Sequence, residues 1–437
     1  MADVRSTTRR GLASAAAVTG GLLAAACGQA TNTPQPASKS AAPVTLRVSS
    51  WLVEPPSVEA YTKHLIEPFK QESPATTVTV EPMAFSVYPE KLQAYGASND
   101  LPDVIEVSYA WFPEWVKLGW LENLDSVIKR DKVAPAEYDR TVIGMGKWPY
   151  EKGPTFSWWT MMGIGTFYYN KSMFDREGQK YPDENWTWDQ AADVAKRLTR
   201  PGQQWGLHLG SYEASLLYSY GASVLNEDAT KCLLDTPASI KAHQFWADLF
   251  LKHRVAGTTQ EYRDAGAPGD AFAAGKIGMY LHGSYQVGRY RQDIKDFQWD
   301  VAPLPKGPAG RAVLIAGNPS HAVSAPGKNK DRAWEFLRWW ITKQNARQVV
   351  LPGNTPTRLA AAKEWTEEQK KEAAPKNIAF ITEGAQKSGK RAETGLRQAD
   401  WNKVWGDARS AINAGRVPAE QGLREATQQI DRILKGA

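Results

Sequence analysis

Val44-Thr45-Leu46-Arg47-Val48 alternates apolar and polar side chains, the period of a half-buried strand. Ser57 stands where it can cap a helix over 57–69, with Val58, Leu65, Ile66 and Phe69 on its apolar face. Val78 and Val80 predict a second short strand, 88–95 a helix, 102–107 a third strand and 111–119 another helix. Strands alternating with helices predict an α/β domain with a parallel sheet. Beyond it, the aromatic-rich stretch 155–170 reads as one or two extended pieces, and 188–198 as a helix with Thr187 as its N-cap. A short strand at 206–209, helices at 239–252 and 270–274, and strands at 276–281 and 299–302 follow. The segment 331–342 is a helix with a heavy aromatic face. Helices near 401–413 and 418–434 close the chain, the last with Leu423, Thr427, Ile430 and Leu434 on one side. No repeat of 20–50 residues occurs, which argues against solenoids and propellers.

The chain has 437 residues, enough for two or three folded units. Its body contains no run of 18 apolar residues, so a multi-span membrane protein is excluded. Net charge is +6, but Lys and Arg are interspersed with acids, which argues against a nucleic-acid partner. The first residues read as an address. Arg9-Arg10 precedes an Ala-rich apolar stretch ending in Leu23-Ala24-Ala25-Ala26-Cys27, the layout of an export signal over 1–26. Thr8-Arg9-Arg10-Gly11-Leu12 is similar to a twin-arginine signal. Cys27 after small residues resembles a bacterial lipobox, whose thiol is diacylated; an incidental Cys behind an ordinary secretory signal is the alternative. The Thr-, Pro- and Ser-rich stretch after Cys27 makes 27–43 a lipidated, flexible tether, reaching roughly 20 Å as a random coil. With Cys27 lipidated, Cys232 has no intramolecular partner and is expected to be a buried small hydrophobe.

Catalytic constellations are missing from the sequence. There is no HExxH, no GxSxG and no P-loop; Gly163-Ile164-Gly165 lacks the third glycine of a dinucleotide loop. Carboxylates are plentiful, yet nothing in their spacing pairs them for glycoside hydrolysis. No enzyme, cofactor or metal is expected.

Eighteen tryptophans are the compositional anomaly. Trp334, Trp339 and Trp340 fall in one helix, and Trp115, Trp120 and Trp246 also read as core. Others stand where strands end: Trp51, Tyr109, Trp111, Trp158, Trp159, Tyr212 and Tyr285. In open α/β sheets ligands gather outside the carboxyl ends of the strands. Flat aromatic faces there suit sugar rings, whose polarised C–H groups stack on π surfaces.

The order of segments then resembles the bacterial extracellular solute-binding proteins of carbohydrate ABC importers, the maltose-binding-protein-like kind. The resemblance is carried by Leu101-Pro102-Asp103-Val104-Ile105 with Gly119-Trp120-Leu121, by Tyr168-Tyr169-Asn170-Lys171, and by Trp186-Thr187-Trp188-Asp189. Phe272-Ala273-Ala274-Gly275-Lys276, Gly283-Ser284-Tyr285, Pro303-Leu304-Pro305, Ala316-Gly317-Asn318 and the C-terminal Leu423–Leu434 stretch complete it, from residue 44 to the end. It implies an α/β, two-lobe, periplasmic-binding-protein-like fold of type II, with a hinge and a ligand cleft between lobes. Lobe one is expected at 44–152 plus 307–352, and lobe two at 153–306 plus 353–437. Ser108, Tyr109 and Trp111 would contribute from lobe one, and Trp159 or its neighbours near the hinge. Ser211, Tyr212, Glu213, Tyr285 and Trp401 would come from lobe two. Asn318 and Asn354 sit in loops that approach ligand or simply form turns, and Arg358 could pair with an anionic substituent of the ligand or, the preferred reading, cap contacts between lobes. Where the family has charged side chains after the third strand, this chain has Ser108-Tyr109-Ala110-Trp111. The implied protein is an exported, lipid-anchored monomer on the outer face of the membrane. It would bind a carbohydrate, an oligosaccharide by expectation, and deliver it to the permease subunits of an ABC transporter. The alternatives are another solute, such as a glycerophosphodiester, or an exported, lipid-anchored carbohydrate-active enzyme.

Overall fold

The computed structural model describes residues 42–52, 55–258, 261–262, 268–316, 319–345 and 354–436. The signal, Cys27 and nearly all of the tether therefore lie outside the described residues, as does Asn318. Twelve described strands occur in chain order: β1 (Val44–Ser50), β2 (Thr76–Pro82), β3 (Val104–Val107), β4 (Trp158–Trp159), β5 (Met161–Asn170), β6 (Trp205–Leu209), β7 (Ile277–Gly283), β8 (Trp299–Ala302), β9 (Val313–Ala316), β10 (Ser320–Val323), β11 (Thr355–Pro356) and β12 (Gly389–Arg391). They form two sheets, one per lobe.

The first sheet runs β2-β1-β3-β10-β4. Its first three strands are parallel, as expected, and β10 returns antiparallel between β3 and β4. The helix expected over 57–69 is three pieces, Pro55–Tyr61, a π-turn at Thr62–Ile66, and Glu67–Glu72. Pro68 explains the break, because it has no N–H for the carbonyl four residues back and the turn ahead of it widens. Alternation along β3 sends Val104 to one face and Ile105 and Val107 to the other. The first face packs on the aromatic side of the helix Lys330–Thr342, where Trp340 meets Tyr61 at 5.6 Å and Phe336 meets Phe69 at 5.0 Å. Trp334, Trp339 and Trp340 are buried, as their spacing predicts. Truncating a ring of this kind to Ala costs about 3–5 kcal/mol.

The second sheet is built on β5, whose ten residues are all buried. Here most pairings are antiparallel. β7, β8, β9 and β11 all pair antiparallel with β5, and only β6 with β7 and β12 with β9 are parallel. The helix Trp188–Leu198 covers this sheet and starts with a complete capping box, Thr187 and Gln190 satisfying each other's backbone. Cys232 is buried without a disulfide, as expected. The chain passes between sheets at Thr160, between β9 and β10, and between Thr342 and β11. The expected limits at 153 and 307 fall ahead of the first two of these changeovers. Phe156 still bonds to Gly146 within lobe one, and Ala309 to Ser219 within lobe two.

Candidate functional site

Because β1, β2 and β3 are parallel, the loops after all three leave one edge of the first sheet, and each delivers an aromatic ring to it. Trp51 follows β1, Phe85 follows β2 and Trp111 follows β3. Trp51 meets Phe85 and Trp111 edge-on at 5.5 and 5.9 Å, and Trp111 stacks on Tyr88 and Trp115 at 5.7 and 5.5 Å. Trp51 and Trp111 are half-buried, while Phe85 is 49% exposed. Ser108 is a turn former here: its carbonyl accepts the Trp111 N–H at 3.0 Å and its own hydroxyl oxygen accepts the Ala110 N–H.

The second lobe offers tyrosines laid on its sheet. A Cβ on Gly163 would lie 2.5 Å from the Tyr212 hydroxyl, and one on Gly283 2.3 Å from the Tyr285 ring. These glycines let the two rings rest on β5 and β7. Tyr212 is buried and Tyr285 is 39% exposed, 6.4 Å apart. The Ser211 hydroxyl is 3.2 Å from Nε2 of His282. Burial pulls His282 down to about 4 and His208 to about 3, so both imidazoles are neutral near pH 7. Burial also raises the Tyr285 phenol to about 12.

Between Tyr109 of lobe one and this surface lies a cavity of about 240 Å³. One face of the helix Gln398–Asn413 closes it with Gln398, Trp401, Asn402, Trp405 and Arg409, residues three and four apart. Glu213 holds Arg409 at 2.6 Å, and the guanidinium lies over the rings of Trp246 and Trp405 at 4.9 and 5.1 Å. Glu393 accepts the backbone N–H groups of Val224 and Leu225 at 2.8 and 2.6 Å, and burial raises its carboxyl above the usual range.

The lobes touch beside this cavity. The Thr394 hydroxyl donates to the Tyr109 carbonyl at 2.9 Å and accepts from the Tyr150 hydroxyl at 3.1 Å. Arg397 N–H reaches Glu114 at 3.0 Å, and Arg391 lies 4.4 Å over the Tyr150 ring. Arg358 pairs with Glu137 at 2.8 Å, the lobe-capping role its position suggested. A buried polar chain runs below the aromatic wall. Glu106 accepts the Trp51 N–H at 2.6 Å, faces His321 at 4.0 Å, and His321 meets Thr160 at 3.2 Å where the chain changes sheet. Gln344 in turn donates to the Thr160 carbonyl and accepts the Arg358 N–H at 2.8 Å.

Of the expected residues, Tyr109, Ser211, Glu213 and Trp401 share the cavity wall, with Tyr212 and Tyr285 on the adjoining sheet surface. Trp51 and Trp111 form the lobe-one wall. Trp158 and Trp159 are 2% and 1% exposed; Trp158 packs edge-on against Tyr138 at 4.8 Å and Trp159 belongs to the second core. In this arrangement neither presents a stacking face. Asn354 is buried beside β11. Phe85, Gln398, Trp405 and Arg409 were not foreseen. Stepping by three and four from Trp401 leads to Gln398, Trp405 and Arg409, a signal open to the sequence; a lone Phe85 carries none.

Two larger grooves, of about 680 and 710 Å³, flank the helix Arg140–Met145. Each has a single aromatic residue in its lining, Tyr138 or Tyr218, so neither provides opposed stacking faces. Among the described residues no group of three or more His, Cys, Asp or Glu is arranged to hold a metal, and no helix is long and apolar enough to cross a membrane.

Residues 54–347 match the family described as bacterial extracellular solute-binding protein. A Brucella abortus protein named as a binding protein is 25% identical over 309 residues, 67% of this chain and 72% of its own. Among solved structures, the ABC substrate-binding protein Lmo0181 of Listeria monocytogenes, in complex with cycloalternan, superposes with a TM-score of 0.78 at 20% identity, over 90% of this chain and 99% of that one. The cyclic alpha-maltosyl-1,6-maltose binding protein of Arthrobacter globiformis gives 0.76 at 20% identity, over 90% and 100%. These likenesses establish the two-lobe fold.

Proposed function

Since the chain belongs to the bacterial extracellular solute-binding proteins, we propose that it captures a carbohydrate in the cleft between its lobes and passes it, unaltered, to the permease subunits of an ABC importer. The observation that carries this reading is the pairing of aromatic faces on both jaws with a polar cavity between them. Trp51, Phe85 and Trp111 stand on lobe one and Tyr285 on lobe two, beside the polar side chains Ser211, Glu213 and Gln398 and the buried Trp401. A saccharide has apolar ring faces and donor-rich edges, and this cleft has a partner for each. The carbohydrate ligands named for the two solved structures support the same substrate class. Binding is non-covalent, and the permease reads the closed form, so the guest must favour closure over the open state. Diacylation at Cys27, with residues after it as a tether, would hold the monomer at the outer face of the membrane.

The glycerophosphodiester alternative is disfavoured by charge. Among the described residues lining the cavity there is no basic cluster, and Arg409 is already engaged by Glu213. The test is titration of the purified protein against a saccharide panel, read by tryptophan emission. A narrow set should bind at micromolar or tighter affinity with one guest per chain, and chromatography should recover the guest intact. Turnover of the saccharide into products would overturn the binding-only reading.

A further inference from the structure

The cavity wall contributed by lobe two is unevenly satisfied, and the unevenness has a direction. Three of its side chains carry polar atoms that are sealed from water and have no hydrogen-bond partner among the described residues: Oε2 of Glu213, Oε1 of Gln398 and Nε1 of Trp401. Gln398 is only 4% exposed and Trp401 1%. A buried polar group left unpaired is costly, and a charged one more so, so three of them on residues that line one cavity mark a place where a guest that turns these side chains toward it recovers what the empty protein forgoes. Both carboxylic and carboxamide oxygens accept hydrogen bonds; the indole alone donates. The neighbouring groups are already used. Glu393 is occupied by two backbone N–H groups, and Gln398 Nε2 lies 3.5 Å from the Glu393 carbonyl.

Arg409, the cation in this wall, is not available to an anion. Its guanidinium is fixed at 2.6 Å by Glu213 and lies over the rings of Trp246 and Trp405. An acidic guest would set its charge against the free Glu213 oxygen, or would have to draw Arg409 away and leave that carboxylate unpaired. The cavity is also small: about 240 Å³ falls below the roughly 300–1,000 Å³ of sites for drug-sized ligands.

Resting on the carbohydrate reading and sharpening it, we propose that Glu213 and Gln398 are specificity-determining residues that admit an uncharged terminal sugar or polyol unit presenting hydroxyl donors. Acidic sugars are refused, because the Glu213–Arg409 pair withholds the one cation among the described lining residues. Any further units of a longer saccharide lie outside the cavity, where the exposed rings stand.

Calorimetric titration of the purified protein tests this, using a panel of neutral mono-, di- and trisaccharides and alditols, each matched with its uronate or phosphate. The wild type should bind at least one neutral member, and its acidic counterpart at least about 100-fold more weakly. Gln398→Met keeps length and helix propensity, and should weaken the neutral guest about tenfold with the melting temperature unchanged. Glu213→Gln should weaken it by a similar factor or more and, by releasing Arg409, should tighten the acidic counterpart. Equal affinity for a neutral and an acidic partner overturns the proposal, as does wild-type affinity in both variants. Binding of acidic members alone overturns it while leaving the carbohydrate reading standing. Binding of no member at all overturns the carbohydrate reading, and this inference with it.

Discussion

The two jaws are made differently. Lobe one presents ring faces: Trp51, Phe85 and Trp111 hang from the ends of parallel strands, supported by a stack running inward to Trp115. Lobe two presents edges: Glu213, Gln398 and Trp401 line a small cavity, and each carries a buried polar atom without a partner among the described residues. Stacking is worth about 0.5–1.5 kcal/mol per ring pair beyond the area it buries and discriminates little between sugars. Buried polar groups discriminate sharply, because a guest that fails to pair them leaves them unpaired. The contrast teaches a division of labour, in which one jaw supplies grip and the other choice.

Five measurements bear on the account. The largest effect concerns stability and separates the lobes by their interiors. Burial raises the Glu106 carboxyl to about 8, with Ser50 and Trp51 hydrogen bonds opposing, while burial pulls His321, which faces it, down to about 3. The folded protein therefore keeps a Glu106 proton that the unfolded chain releases near pH 4.5. Its contribution to stability is intact below that pH and is lost as pH rises through about 8, on the order of a few kcal/mol. His321 acts in the opposite sense, with loss as pH falls from its ordinary value of 6.5 toward about 3. Thermal melts of Glu106→Gln should show the loss between about pH 4.5 and 8 largely removed; an unchanged pH profile would mean that Glu106 ionises freely in the fold.

Next comes the choosing jaw. Glu213→Ala removes an acceptor and frees Arg409, and affinity for the neutral guest should fall by about 100-fold or more. On the gripping jaw, Trp111→Ala should weaken binding about 5- to 10-fold across every saccharide that binds, leaving their ranking intact. Tyr285→Ala should act likewise, although it stands on lobe two, because it contributes a face. If Trp111→Ala reorders the panel, the division between grip and choice is wrong. The smallest effect is expected from Thr394→Val, which removes the hydroxyl linking Tyr109 and Tyr150 across the lobes. It should weaken affinity two- to threefold by favouring the open form, visible as a larger radius of gyration at partial saturation.

Much of this was legible in the chain. Period-two and period-3.6 patterns located β1, β3, β7 and the long helices, and aromatic residues at strand ends pointed to Trp51, Tyr109 and Trp111. What escaped did so for physical reasons. β9 and β10, buried throughout, carry no alternation of apolar and polar positions for a period to register; β9 pairs antiparallel with β5 in the second sheet, and β10 returns antiparallel between β3 and β4 in the first. Trp158 and Trp159 follow the same aromatic cue as Trp111, yet they lie where the chain passes between lobes and is covered from both sides. Glu106 and His321 are 215 residues apart in the chain and meet only through the β3–β10 register. No local pattern reports such a pairing. Gln398 and Arg409 could have been found from the helical step of Trp401, but their unpaired or committed state depends on Glu213 from a distant loop.

The most direct test is a structure of the protein with the tightest-binding saccharide of the panel. The account predicts lobes closed on an uncharged terminal unit, its hydroxyls donating to Glu213 and Gln398 and a ring face against Tyr285 or the Trp51–Trp111 wall. A guest seated in either groove beside the helix Arg140–Met145, with the cavity between Tyr109 and Trp401 empty, would contradict it.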